Sequence, residues 1–249
     1  MVLLYIPPVQ NLLRREVTAY ASKATGMQIQ VERIDLRFPL NLLVRGVEVI
    51  QQPDTLLSLE SLNVRVQAWP LLKGKVEVDE VTLSQVAVNS ANLIEGMQIK
   101  GVLGRFFLQS HGVDLSNETA VVNRTELSDT HIQLLMTDTT TTPKDTTASA
   151  PVNWKVNLHQ LKLKNVSFGM KLPADSMKMA AYIGEATIDD AKADLKNQFY
   201  GLKQFLLSGA SASYDTGEAQ PSEGFDASHM AVRNIRIGLD SQKYERCDS

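Results

Sequence analysis

Few side chains in this sequence combine the residue types and the spacing that catalysis or metal binding requires. The four histidines are scattered, and none takes part in the His-Glu-x-x-His spacing of a zinc site. They are His111, His131, His159 and His229. Asp79-Glu80 and Asp189-Asp190 are adjacent carboxylates, but consecutive residues of a strand point to opposite faces, so neither pair can act together as acid and base. The sequence therefore predicts a protein that is not an enzyme, with no catalytic residue, no metal and no cofactor.

Composition excludes further classes of partner. The 249 residues carry a net charge of −3, and aromatic residues make up 6% of the chain. Binding to nucleic acid usually needs a basic stripe or an aromatic stacking platform, so we expect no nucleic-acid partner. The single cysteine, Cys247, cannot form an internal disulfide or a redox pair.

The most informative stretch is residues 69–88, WPLLKGKVEVDEVTLSQVAV. Its apolar residues alternate with polar residues as in a strand, except at two points where two polar residues follow one another. An extra residue in a period-two pattern is typical of a β-bulge or a strand bend. The same six-residue pattern recurs 80 positions later in KVNLHQLKLKNVSF. The spacing makes these twelve apolar residues candidates for lining one shared apolar groove. They are Val76, Val78, Val81, Leu83, Val86, Val88, Val156, Leu158, Leu161, Leu163, Val166 and Phe168.

A shorter spacing, apolar-x-x-apolar-x-apolar, recurs along the chain and indicates a repeated strand unit joined by loops of unequal length. It occurs at Val31-Ile34-Leu36, Val78-Val81-Leu83, Leu158-Leu161-Leu163, Leu202-Phe205-Leu207 and Val232-Ile235-Ile237, and more weakly at Val122-Thr125-Leu127.

The order of the elements follows from composition. Residues 1–7 are apolar but far shorter than the roughly 20 residues that span a bilayer, so they could be the end of a membrane anchor. Residues 8–26 predict an amphipathic helix, which could follow an anchor, plug one end of a β core, or do both. The remaining predictions are a first β segment at 27–136, a Thr-rich flexible linker at 137–151, a second β segment at 152–240 with a flexible insertion at 215–228, and a tail at 241–249. We interpret the chain as a fragment that stops within its β architecture.

The chain resembles the start of TamB, the inner-membrane component of the translocation and assembly module, in the AsmA-like superfamily. The resemblance is specific over about residues 3–100, through YIPPVQNLLRREVTAYASKATGMQIQVERIDLRFPLNLLVRGVEV and WPLLKGKVEVDEVTLSQ. It implies an inner-membrane helix, then an elongated β-taco in the periplasm, a sheet folded into a trough with an apolar interior. It also implies transport of phospholipid to the outer membrane, or assembly of outer-membrane proteins with an Omp85-type barrel partner.

The residues favour a trough independently of that resemblance. After residue 26 few segments have a helical pattern, so a sheet with one apolar face must cover itself by folding or closing. We therefore expect a mainly β fold, with an N-terminal amphipathic helix and an elongated antiparallel β-groove that contacts phospholipid acyl chains. The alternatives are a scaffold that offers strand edges to outer-membrane proteins and a compact β-sandwich binding domain.

Overall fold

The computed structural model describes most of the chain after the first 14 residues. The described residues are 15–16, 18–19, 22–23, 25–38, 40–51, 53–67, 78–90, 93–94, 96–114, 118–136, 153–172, 176–217 and 229–244. The fold is mainly β: ten strands form one open sheet, and their order in the sheet is their order in the chain. The strands are β1 (Gln28–Arg37), β2 (Asn41–Gln51), β3 (Asp54–Val66), β4 (Val78–Asn89), β5 (Met97–Asp114), β6 (Thr119–Met136), β7 (Lys155–Leu172), β8 (Met177–Asp194), β9 (Phe199–Asp215) and β10 (His229–Tyr244).

The expected antiparallel pairing is confirmed for eight of the nine neighbouring strand pairs and is wrong for the ninth. Strands β6 and β7 are parallel, with Thr119 opposite Lys155 and Leu135 opposite Lys171. Parallel neighbours need a long connection, because the chain must return to the end at which the first strand began. The connection here contains the predicted Thr-rich linker 137–151, which itself lies outside the described residues.

The predicted N-terminal helix and membrane stub fall largely outside the described residues. The seven residues described between positions 15 and 25 have helical backbone, and the Gly26 amide donates to the Ser22 carbonyl at 2.9 Å. The helix as a whole stays a prediction. Within the described part of the chain, no helix has the length and apolar character needed to cross a bilayer.

Two lines of interrupted pairing, which we call creases, run across the sheet perpendicular to the strands. At the first crease, the residues directly opposite one another in neighbouring strands are not paired through the hydrogen bonds of the β-ladder. They are Glu32, Gly46, Glu60, Gln85, Gly104, Asp129, Asn165, Gly184 and Gly209. Five of them have left-handed backbone, with φ of 58° at Gly46, 50° at Gln85, 51° at Asp129, 53° at Asn165 and 64° at Gly209. Left-handed residues and bulges bend a strand, so we expect the sheet to change direction along this line.

The second crease lies six residues from the first along each of the strands β4 to β9. Its members are Asp79, Ser110, Asn123, His159, Asp190, Lys203 and Ser241. Asp190 and Ser241 have φ of 48° and 53°. The two interruptions of the alternating pattern in β4 coincide with the creases. The pairing of β3 with β4 shifts register at Asp79, and Gln85 has left-handed backbone. The creases divide the longer strands into a central segment of five residues and two flanking segments.

Neither face of the sheet is covered by a second sheet within the described residues. Only nine described residues are buried, and a compact domain of this length would bury many more. They are Ile34, Asp35, Leu56, Ser90, Gly104, Ser110, Thr130, Ala186 and Ala210. Most apolar side chains are instead half-buried by their neighbours within the sheet. The described strands thus leave much apolar surface available for contact.

Candidate functional site

The central segment of the sheet carries two continuous apolar rows, where a row is the set of residues that lie directly opposite one another in successive strands. The Leu163 row crosses all ten strands: Ile34, Val44, Leu62, Leu83, Phe106, Leu127, Leu163, Ala186, Leu207 and Ile237. The Leu161 row does the same: Leu36, Leu42, Val64, Val81, Leu108, Thr125, Leu161, Ile188, Phe205 and Leu239. Directly opposite residues share a face, and residues two apart along a strand do too. The two rows therefore form one apolar face.

The opposite face of the central segment is mainly polar. A row that includes Lys164 is polar throughout: Arg33, Arg45, Ser61, Ser84, Arg105, Ser128, Lys164, Glu185 and Ser208. Side-chain bonds join neighbouring strands on this face. Gln160 Nε2 donates to Asp189 Oδ1 at 3.1 Å, and Arg65 Nη1 lies 3.4 Å from Glu80 Oε2. The central segment therefore has one hydrogen-bonded polar face and one face without polar groups apart from Thr125.

Beyond the first crease the apolar rows continue. The Val166 row consists of Val31, Val47, Leu59, Val86, Leu103, Thr130, Val166 and Ile183. The Phe168 row consists of Ile29, Val49, Leu57, Val88, Gly101, Ile132, Phe168, Ala181, Ala212 and Val232. The one polar side chain in these two rows, Thr130, is 2% exposed, and its hydroxyl donates to the Ser128 carbonyl at 3.1 Å.

Beyond the second crease the rows are shorter. Leu158 lies opposite Val122 and Ala191, and Val156 lies opposite Ala120 and Ala193. At the crease itself, a pocket of about 480 Å³ is lined by residues of two adjacent rows, among them His159, Asp189, Asp190 and Gln204. Leu158 and Leu161 flank the second crease on β7, as Leu163 and Val166 flank the first.

Ten of the twelve residues proposed from sequence fall into these rows. Val81 and Leu161 share one row, and so do Leu83 with Leu163, Val86 with Val166 and Val88 with Phe168. Val78 lies opposite Val66 at the second crease, and its carbonyl accepts a hydrogen bond from the Ser110 hydroxyl. Val76 lies outside the described residues. The interval of 80 residues therefore corresponds to positions aligned across the sheet.

Sequence reasoning missed further members of the same rows. Strand β5 carries Leu103-Phe106-Leu108 and β8 carries Ile183-Ala186-Ile188, both with the apolar-x-x-apolar-x-apolar spacing. The signal was present, but the arginine and glycine within the β5 triplet and the small Ala186 in β8 obscured it. Strand β5 runs antiparallel to β4, and β8 runs antiparallel to β7. The spacing is the same in both chain directions, because one crease lies on each side of the two central apolar residues.

Two carboxylates of β8, Asp190 and Asp194, have a lowered pKa. A hydrogen bond from His159, together with the charge of Lys203, lowers the pKa of Asp190. The Asn197 amides, together with Lys155, lower the pKa of Asp194. Both residues lie on β8, and both bonds connect it to neighbouring chain segments. These shifts reflect pairing of β8 with neighbouring segments at the sheet.

Comparison with known proteins adds no family assignment: no protein-family model matches the chain, and no curated protein gives a significant match.

Proposed function

We propose that this chain is the N-terminal part of an inner-membrane-anchored periplasmic protein of the TamB type, and that its apolar rows guide phospholipid acyl chains between the inner and outer membranes. The observation that supports this most directly is the pair of central rows. They run across ten strands, and Thr125 is their one polar member. An acyl chain needs continuous apolar contact and no specific hydrogen bonds.

The two creases support the trough shape that the proposal requires. A sheet bent along two parallel lines becomes a three-sided trough, and a trough with its apolar rows inside is the β-taco expected from the resemblance. Lipid would then move at right angles to the strands, along the rows. Each further strand lengthens the path by about 4.8 Å without changing its chemistry.

The test is a photo-crosslinking amino acid placed at Leu163 in cells, with lipid adducts identified by mass spectrometry of the purified protein. The matched control is the same substitution at Lys164, its neighbour on β7 in the polar row. We expect adducts at Leu163 and few at Lys164, because adjacent strand residues point to opposite faces. Equal labelling at both positions, or labelling at neither, contradicts the proposal.

A charged side chain distinguishes a lipid path from a closed core. We expect Leu163→Asp to abolish lipid adducts at a second reporter site, Leu83, because a carboxylate is costly to desolvate beside hydrocarbon. The half-buried site should let the carboxylate reach water, so the circular dichroism spectrum should stay that of a β protein. Global unfolding of Leu163→Asp, together with an absence of adducts in the parent protein, indicates a dry core instead.

The second candidate function is a scaffold for outer-membrane protein assembly with an Omp85-type barrel. The free outer edge of β10 favours it, since this strand pairs only with β9 in the described sheet. An exposed edge can add a strand of another protein through main-chain hydrogen bonds. Replacing Arg236 on β10, which lies outside the apolar rows, with proline should abolish such pairing and leave lipid adducts at Leu163 unchanged. Unchanged capture of the Omp85-type partner by this variant would contradict edge pairing at β10.

The third alternative, a compact sandwich, requires two sheets. The described strands form one sheet, so a sandwich would have to arise from bending of that single sheet.

A further inference from the structure

Methionine is concentrated beyond the first crease, where strands β5–β10 begin or end. The chain has eight methionines, yet the Leu163, Leu161, Val166 and Phe168 rows contain none. The next two rows on the apolar face contain six, namely Met170, Met179 and Met230 in the nearer row and Met97, Met136 and Met177 in the outer one. The residue type of the apolar face therefore changes at this margin of the sheet.

Three of these methionines form a compact triangle. Met170 on β7 lies directly opposite Met179 on β8, and Met177 precedes Met179 by two residues on the same face. Opposite residues have Cβ atoms about 4.5–5.5 Å apart, and residues two apart on a strand are separated by about 6.6 Å. A methionine side chain is unbranched and has three rotatable bonds, so thioethers from these three positions can converge above the sheet. Met179 is 40% exposed and the other two are half-buried, which leaves that point open to solvent.

The triangle offers neutral sulfur ligands and no fixed charge. Lys171 and Lys178 alternate with its methionines along β7 and β8, so these two ammonium groups lie on the other face of the sheet. Histidine, cysteine and carboxylate side chains form no metal-binding group among the described residues. A thioether is a soft ligand, and soft ligands select Cu(I) over hard cations such as Mg²⁺ or Ca²⁺.

We propose that Met170, Met177 and Met179 bind one soft monovalent cation, Cu(I) or Ag(I), through their Sδ atoms. The ion keeps its oxidation state, and the neutral ligands release no proton when it binds. The inference goes beyond the guidance of lipid and does not depend on it. It departs from the absence of metal expected from the sequence, because that expectation considered histidine, cysteine and carboxylate patterns and not thioethers.

Binding is measured by titrating the purified full chain with Ag(I), and with Cu(I) under anaerobic reducing conditions, in competition with a chromogenic chelator. The reference protein carries Cys247→Ser, because a cysteine thiolate would itself bind either ion. We expect one equivalent of Ag(I) or Cu(I) to bind, and Zn(II) not to compete, since zinc prefers imidazole, thiolate and carboxylate ligands. The affinity should be constant from about pH 5.5 to pH 8, because thioethers do not titrate, whereas a histidine ligand loses its proton near pH 6.5.

Replacement of methionine by leucine separates a metal site from a flexible filler of apolar space, because leucine keeps the apolar volume and removes the sulfur. Met170→Leu with Met177→Leu and Met179→Leu should weaken Ag(I) and Cu(I) by at least about tenfold and leave the thermal unfolding midpoint close to that of the reference protein. The matched control is Met27→Leu with Met97→Leu and Met230→Leu, which removes the same number of thioethers outside the triangle and should keep the reference affinity.

A second measurement identifies the ligands without the triple variant. In protein labelled with ¹³C at the methionine methyl groups and assigned by single Met→Leu variants, the resonances of Met170, Met177 and Met179 should shift together until one equivalent of Ag(I) is added. Those of Met27 and Met230 should not move. Reference affinity in the triangle variant, an equal loss in the control variant, or an affinity that falls as histidine becomes protonated would each overturn the inference. Methyl shifts spread evenly over all methionines would overturn it too.

Discussion

His159 on β7 lies opposite Asp190 on β8 at the second crease, and its Nδ1 atom is 3.0 Å from Asp190 Oδ1. On the other side of the same carboxylate, Lys203 Nζ lies 3.6 Å from Oδ2. Asp190 itself has left-handed backbone, with φ of 48°. A single aspartate thus joins three strands at a point where their main-chain ladder is interrupted.

This arrangement predicts an acid-sensitive contribution to stability. The pKa of Asp190 lies below its ordinary value of 3.8, first because of the His159 hydrogen bond. The ionised carboxylate therefore stabilises the fold above about pH 3.8, and the stabilisation is lost as the pH falls through the lowered value. We expect Asp190→Asn to lower the denaturant midpoint at neutral pH, with the difference from the parent shrinking in acid. The control is Asp189→Asn, whose partner is the neutral Gln160 amide. A difference that stays constant with pH contradicts the assignment.

The first crease predicts a strict requirement for glycine at position 46. Gly46 has φ of 58°, and an added Cβ would lie 2.6 Å from Glu32 Cβ. We expect Gly46→Ala to reduce the free energy of unfolding by about 1–3 kcal/mol, from left-handed strain and overpacking. Gly169→Ala is the matched control, since its nearest contact would be at 3.9 Å, and it should be neutral or stabilising by up to about 1 kcal/mol. Equal effects in chemical denaturation would show that the crease imposes no such constraint.

Asn165 illustrates the same constraint for a residue with a side chain. Its φ is 53°, and its Nδ2 donates to Asp129 Oδ1 at 2.7 Å, across the parallel pair of strands. Asn165→Val should cost about 1–3 kcal/mol, because a β-branched residue is strained in this region and the hydrogen bond is lost. The control is Asn157→Val on the same strand. Asn157 does not have left-handed backbone, so this substitution should have little effect on the free energy of unfolding. Comparable unfolding midpoints for the two variants would refute this prediction.

Thr125 is the polar interruption of the Leu161 row, where it lies between Leu108 and Leu161. We expect Thr125→Val to raise the free energy of unfolding by up to about 1 kcal/mol, because a methyl group replaces a hydroxyl within an apolar row. The control is Thr187→Val, which lies opposite Lys162 in a row on the other face. Lipid adducts at Leu163 should be retained in both variants. Destabilisation by Thr125→Val would show that the hydroxyl has a partner that the apolar row does not explain.

The sequence by itself determined the β class and much of the local irregularity. Alternation of Val and Leu with polar residues predicted strands, and the skips at Asp79 and after Leu83 predicted the places where pairing is interrupted. These signals are local. Alternate residues of a strand point to opposite faces, so apolar residues recur at every second position, and a bend appears as two consecutive polar residues. The 80-residue repeat likewise predicted that Leu83 and Leu163 are equivalent.

Tertiary structure alone decided how those equivalent residues meet. The parallel pairing of β6 with β7 brings Leu127 opposite Leu163, and nothing in either strand's pattern distinguishes that pairing from an antiparallel one. Membership of a row depends on register across nine pairings, and a slip of one residue would turn a whole strand's apolar set to the other face.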